Sequence, residues 1–208
     1  MTGEGRRVRL SSEARREQLL AIGVDMLRNR RLEDLSIDDI ANQAGISRGL
    51  LFHYFQSMQE FQIAVARRVM EGLIDRLTSG ADESLSPDQR LRSSLSIYID
   101  YIAERPDVYR SVVRGVATGP HGIRTMADHT RDQVVDLLLA NASASAPGAG
   151  AIEGPSARLG AHAWIAMTEE LVARWLDDPV ISRDELVSRI VAPLPALLGV
   201  ADRRTPTS

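Results

Sequence analysis

Cysteine and lysine are both missing from this 208-residue chain. Without a thiol there is no disulfide scaffold, no thiolate zinc site and no cysteine nucleophile. Aromatic residues make up only 4% of the chain, so its core must be built mainly from aliphatic side chains. No run of eighteen apolar residues occurs, and no membrane span is expected. The opening residues are basic and polar rather than the apolar core of a signal peptide, and a cytoplasmic protein is the simplest expectation. There is no Gly-x-Ser-x-Gly elbow, and no nucleophile paired with a base is visible. His121, His129 and His162 could be combined on paper with Asp128 or Glu169 into a metal site, but their spacing matches no helical ligand signature. No catalytic residue, metal or cofactor is therefore expected.

What is present is a large aliphatic fraction and an uneven charge. Apolar residues reach 44%, ample for a core, and the 25 basic residues, all arginine, face 28 acidic ones for a net charge of −3. That sum argues against a chain that coats nucleic acid. The distribution is more telling: Arg6, Arg7, Arg9, Arg15 and Arg16 gather at the start against only Glu4 and Glu13, and the remainder is acidic. Arginine suits bidentate contacts to phosphate and guanine. Its use at every basic position, on surfaces away from any DNA face as well, fits a coding bias better than a functional choice.

Helical spacing runs through the whole chain. It predicts helices over about 12–29, 37–43, 47–54, 57–79, 86–105, 107–114, 123–141, 157–177 and 183–199. Ser57 with Glu60 and Ser86 with Gln89 have capping-box spacing. Residues 115–122 should break the pattern, and the Ala, Gly, Pro and Ser of 142–156 should form a loop. Pro193 and Pro195 should kink the last helix. There is no alternating strand pattern, repeat or sustained heptad. The expected fold class is all-α, a three-helix head followed by a helical body.

Residues 36–55, SIDDIANQAGISRGLLFHYF, carry the most specific pattern: a complete helix-turn-helix. Ser36 can cap a short helix, with Asp39 three residues on, and Ile37, Ile40 and Ala41 supply its apolar face. Gly45 can take a left-handed backbone without a Cβ penalty, and Ile46 can plug the corner. Ser47 caps a second helix that opens with Arg48, Gly49 and Leu50. A helix of this kind enters the major groove N-terminus first, so those residues would meet base edges. Arg48 suits guanine O6 and N7 and equally suits a phosphate clamp; Leu50 could meet a thymine methyl. His53 and Tyr54 could reach phosphates or a base edge, or one of them could pack on the next helix. The N-termini at Ser36–Ile37 and Ser47 could also bind phosphate oxygens. Phe52, between Leu51 and Phe55, is expected in the core. The basic arm could enter a minor groove or add only salt-dependent affinity.

On these residues the first sixty or so positions resemble the DNA-binding domain of the TetR family of transcriptional regulators. The matching residues are Ile22-Gly23 and Leu27, then Leu35-Ser36-Ile37, Ile40-Ala41 and Ala44-Gly45-Ile46-Ser47. The run Leu51-Phe52-His53-Tyr54-Phe55 and Ser57 complete the pattern. The family usually has Tyr where this chain has Phe52 and Lys where it has Met58; both usual residues resemble phosphate contacts. The resemblance implies a helix-turn-helix DNA-binding domain over 1–56, with a basic arm over 1–11, and an effector-binding and dimerisation domain over 57–208. It further implies a homodimer on a pseudo-palindromic operator in double-stranded DNA, and a repressor released by a small hydrophobic effector. Half-sites should lie about one helical turn apart, or a multiple of it.

For the body, the resemblance places an effector pocket among the middle helices, where Tyr98, Tyr101, Tyr109, Val113, Met126, His129, Trp164 and Met167 are the candidates. Each of these taken alone also suits ordinary core packing. The last two helices are the expected dimer face, through Leu171, Trp175, Leu186, Ile190, Leu194 and Leu197; the alternative is that the same stripe closes a protomer's own core. Another expectation is a helix-turn-helix protein whose body binds a protein partner, through 142–156 and an arginine-bearing face around Arg110 and Arg114, in place of a small molecule.

Overall fold

A computed structural model of the chain describes residues 11–79, 82, 84–118, 121–145, 152 and 154–200, excepting the side chains of 113–118, 121, 144 and 145. The elements are α1 (Ser12–Met26), a single 3-10 turn (Leu32–Asp34), α2 (Ile37–Ala44), α3 (Arg48–Tyr54), α4 (Met58–Ser79), α5 (Pro87–Glu104) and α6 (Pro106–Thr118). After these come α7 (His121–Ser145), α8 (Pro155–Asp177), α9 (Arg183–Val191) and α10 (Leu194–Leu197). No strand occurs among the described residues. They form two compact units. One holds the chain up to Val69 together with Asp107–Ile123; the other holds Met70–Pro106 and the chain from Arg124 on.

In the first unit α1 starts at an Ser11 cap, whose hydroxyl accepts from the Ala14 amide at 3.1 Å. It ends three residues earlier than its apolar spacing predicts, because Leu27, Arg28 and Asn29 bond three residues back and tighten the last turn. Leu19, Leu27, Leu32, Ile40, Leu51, Phe55, Phe61 and Val65 fill the core at no more than 2% exposure. Phe55 and Phe61 meet edge to face with centroids 4.9 Å apart. α1 approaches α4 closely at Gly23, where a Cβ would fall 2.5 Å from Val65 Cγ2 and 2.8 Å from Phe61 Cζ. α6 joins this unit through buried Ser111, whose Oγ accepts the Leu32 N–H at 2.6 Å. The Leu32 carbonyl accepts from Gln62 Nε2 at 3.0 Å, so both of its backbone polar groups are met by side chains from other helices.

In the second unit α8 runs through the core with Ala161, Trp164, Ile165, Thr168 and Val172 buried. The Trp164 indole N–H donates to the Ile190 carbonyl at 2.7 Å. Gly160 lets α10 come so near that a Cβ there would overlap the Leu197 carbonyl oxygen. Arg183, opening α9, donates to the Ser96 carbonyl of α5 at 2.9 Å and pairs with Asp100 at 2.7 Å. The expected final helix is two pieces, divided at Ala192-Pro193, where the ring removes an N–H from the ladder. Two expectations need correction. α6 passes Gly115 and continues to Thr118, and α7 takes in 121–145, entering the segment expected as a loop. Alanine, abundant in 140–145, is the best helix former, which accounts for the second difference. The rest of the expected loop, 146–151 and 153, lies outside the described residues.

Candidate nucleic-acid interface

The turn between α2 and α3 is built from local chemistry. Ser36 accepts the Asp39 amide at 3.2 Å, while its hydroxyl donates to the Asp39 carboxylate at 2.7 Å. Arg30 donates to the same carboxylate. The Ser36 hydroxyl first, and Arg30 second, hold the Asp39 carboxyl below its ordinary range. The carboxylate therefore does not return to the Ser36 amide as a reciprocal capping box would. Gly45 is left-handed at φ 63°, its amide bonds to the Asn42 carbonyl at 3.2 Å, and the Ile46 amide bonds to the Ala41 carbonyl at 3.0 Å. That pair of bonds is a Schellman motif and terminates α2. Ser47 caps α3 by accepting the Leu50 amide at 3.2 Å.

Along α3 the 3.6-residue period separates inside from outside. Leu51 and Phe55, four apart, are buried. Arg48, Gly49, Leu50, Phe52 and His53 are exposed, and Tyr54 is half-buried with its ring edge-on to His53 at 5.3 Å. Phe52 is thus not core: it is 44% exposed, one turn beyond Arg48 on the outward face. A Cβ at Gly49 would meet nothing closer than the Ser47 hydroxyl at 4.0 Å, so the helix backbone is open on that side. Arg48 Nε lies 3.2 Å from Asp38 Oδ1, across the turn on α2. Arg16 lies over the Phe55 ring at 5.0 Å and ties α1 to the end of α3. At the start of α4 the Ser57 hydroxyl accepts the Glu60 amide at 3.1 Å. The Glu60 carboxylate accepts from Gln56 at 2.7 Å, one residue upstream of the expected partner. Met58, in the position of a usual lysine, is half-buried. Arg6, Arg7 and Arg9 of the basic arm lie outside the described residues.

The residues singled out for an effector divide between the units. In the second unit, Tyr98 and Tyr101 of α5 are half-buried, with Arg76 over the Tyr101 ring at 5.1 Å and the Tyr101 hydroxyl against Gly72. Met126 is buried on α7, His129 is exposed, Met167 is half-buried, and Trp164 is buried and bonded to Ile190. Tyr109, buried, belongs to the first unit, as does Val113, whose side chain is outside the described residues. Of the expected dimer residues, Leu186, Ile190 and Leu194 are 2%, 0% and 7% exposed, inside the protomer's own core. Leu171, Trp175 and Leu197 are half-buried, and the Trp175 indole donates to the Ile181 carbonyl at 2.8 Å. The outward faces of these helices carry other residues: Leu159, 72% exposed, with Ala163, Ala166, Ser188 and Ala192. Small side chains spaced three and four apart along α8 do not register in the sequence as an apolar stripe. His162 lies 3.3 Å from Asp132, which Arg158 also contacts. No group of three or more potential ligands for a metal occurs among the described residues. No described helix is long and apolar enough to cross a membrane.

Comparison with known proteins agrees with this geometry. Residues 19–65 match the model described as bacterial regulatory proteins, tetR family, and residues 87–196 match the tetracyclin repressor-like C-terminal domain. The chain is 26% identical over 194 residues to the HTH-type transcriptional activator FasR of Mycolicibacterium smegmatis, covering 91% of this chain and 85% of that one. It is 30% identical over 130 residues to the HTH-type transcriptional repressor KstR2 of the same organism, covering 60% and 63%. A tetR-family regulator from Streptomyces coelicolor shares the fold with a TM-score of 0.74 at 29% identity, over 92% of this chain and 83% of that one. With one model matching the head and a second spanning more than half the chain through the body, this protein belongs to the TetR family: it is a helix-turn-helix, DNA-binding transcriptional regulator and not an enzyme.

Proposed function

We propose that the protein acts as a homodimeric repressor that occupies a pseudo-palindromic operator and leaves it when a small hydrophobic effector binds the body. The observation that carries the DNA reading is the outward face of α3, where Arg48, Gly49, Leu50 and His53 stand exposed beside a capped and sharply turned α2. Arg48 reads a guanine edge, Leu50 meets a thymine methyl, and His53 and Tyr54 reach phosphates or a base edge. The helix N-termini at Ser36–Ile37 and Ser47 bind phosphate oxygens through backbone amides. One such helix reads only a few base pairs, so specificity requires two heads in symmetric register.

The head is taken as 1–56 and the regulatory region as 57–208. The outward faces of α8 and α9 are the surfaces we assign to the second copy, since Leu186, Ile190 and Leu194 are used within one protomer. Half-buried Tyr98, Tyr101 and Met167 with Met126 supply apolar walls and a few polar groups suited to a hydrophobic effector. α4 begins in the first unit and ends in the second. An effector that binds one arrangement of the body better than another shifts that equilibrium and with it the spacing of the heads. Its site of action is the cytoplasm, with the DNA.

Selection of bound sequences from a random duplex pool, with purified full-length protein at stated salt, tests this reading. A two-fold symmetric enriched site is expected. Weak, salt-sensitive binding without enrichment overturns specific recognition, and an effector that binds while leaving operator affinity unchanged overturns the coupling.

A further inference from the structure

The base-facing arginine of this chain does not stand alone. Arg48 is the first residue of α3, at the positive end of that helix, where the dipole disfavours a cation. Asp38 is the second residue of α2, where the dipole favours an anion. The turn closed by Gly45 sets the two face to face, with Nε 3.2 Å from Oδ1, and their side chains remain 65% and 59% exposed. The neighbouring carboxylate, Asp39, is occupied by Ser36 and Arg30, so it does not compete for Arg48.

We infer that Asp38 is a positioning residue for specificity: it holds Arg48 for a guanine edge and denies it to phosphate. The inference rests on the DNA reading proposed above. A carboxylate against Nε fixes the plane of the guanidinium and leaves the terminal nitrogens to form the fork that guanine O6 and N7 accept. The same negative charge repels a phosphate that approaches the guanidinium, whereas the uncharged base edge meets far less repulsion. An arginine without this neighbour would bind phosphate at any sequence and add affinity without information. Asp38 thus exchanges general affinity for discrimination.

The test is a double-mutant cycle on the full-length protein, comparing an enriched site with a non-operator duplex across a salt series. Asp38→Asn should tighten non-operator binding by roughly 1.5-fold to fivefold, the scale of one exposed charge pair. The enriched site should gain less, so the ratio of the two affinities falls. The slope of log affinity against log salt on non-operator DNA should steepen by about 0.9, one added phosphate contact. Asp38→Glu, which keeps the charge, should restore most of the ratio. In an Arg48→Ala background Asp38→Asn should no longer move the salt slope. The same change with and without Arg48 would overturn the inference, because Asp38 would then act only through its long-range field. Weaker binding of Asp38→Asn to both duplexes would overturn it too. If the wild-type protein enriches no symmetric site, the operator reading fails, yet the cycle on non-operator DNA still tests the pair. Helical circular dichroism on each variant verifies folding.

Discussion

The two units are held by interactions of different reach. Around α2 and α3 the decisive bonds join residues three to five apart: Ser36 to Asp39, Ala41 to Ile46, Ser47 to Leu50. In the body they join distant parts of the chain: Trp164 to Ile190, Arg183 to Ser96, Arg131 to Glu169, and Gly160 against Leu197. A surface that must present one fixed side-chain pattern is thus set by short-range chemistry that resists rearrangement. The body relies instead on helix-to-helix contacts, which have alternative packings, as the proposed response to an effector would need. The head also has ties of the second kind, the Leu32 backbone held by Ser111 and Gln62, Gly23 against Val65, and Arg16 over Phe55, but the α2–α3 turn itself is closed by local bonds.

That contrast can be broken at its strongest point first. Trp164→Ala removes the largest buried ring of α8 and orphans the Ile190 carbonyl. It should destabilise the protein by roughly 3–5 kcal/mol. Chemical denaturation followed by circular dichroism measures this, and a loss below about 1 kcal/mol would show that the body does not depend on the contact. Next in size is Ser111→Ala, which leaves a buried Leu32 amide unpaired and should cost about 1–3 kcal/mol. An unchanged denaturation midpoint would mean that α6 is not fastened to the head at this point.

Gly45→Ala sharpens the comparison from the other side. The left-handed turn should cost about 1–2 kcal/mol with a side chain present, and operator affinity should fall along with stability because α3 is re-aimed. Stability loss with operator binding intact would separate the turn from recognition. The smallest effect is acid sensitivity. Asp39 is held below its ordinary range by Ser36 and Arg30, and Glu104 in the body by Arg76. A carboxyl with a depressed folded-state value contributes stability above its unfolded pKa, near about 4, and loses it as pH falls through the folded value. The thermal midpoint should therefore drop on acidification through that range, less steeply in Asp39→Asn; equal slopes would remove Asp39 from the account.

Local rules carried far in reading the chain because caps, a left-handed glycine and prolines act within one turn. The start of α1 at Ser12, the box of Ser86 and Gln89, the Gly45 turn and the break at Pro193 all follow from them. Local rules fall short where neighbouring turns decide the outcome. The position of Phe52 between Leu51 and Phe55 predicts a core residue, yet the helical period turns it outward beside Arg48. Glu60 had the right spacing for a reciprocal cap, but its carboxylate reaches Gln56. Gly115 did not stop α6, since one helical glycine costs only about 1 kcal/mol.

The sequence by itself determined the all-α class, the helix-turn-helix, the residues that open α3 and the exclusion of thiol chemistry, because each rests on composition or on contacts within a turn. Only the tertiary structure decided that Leu186, Ile190 and Leu194 close one protomer's core, that Trp164 is bonded to Ile190, and that Asp38 stands against Arg48. An apolar stripe has the same pattern whether it meets its own chain or another, and two charges ten residues apart meet only when a turn between them brings two helices together.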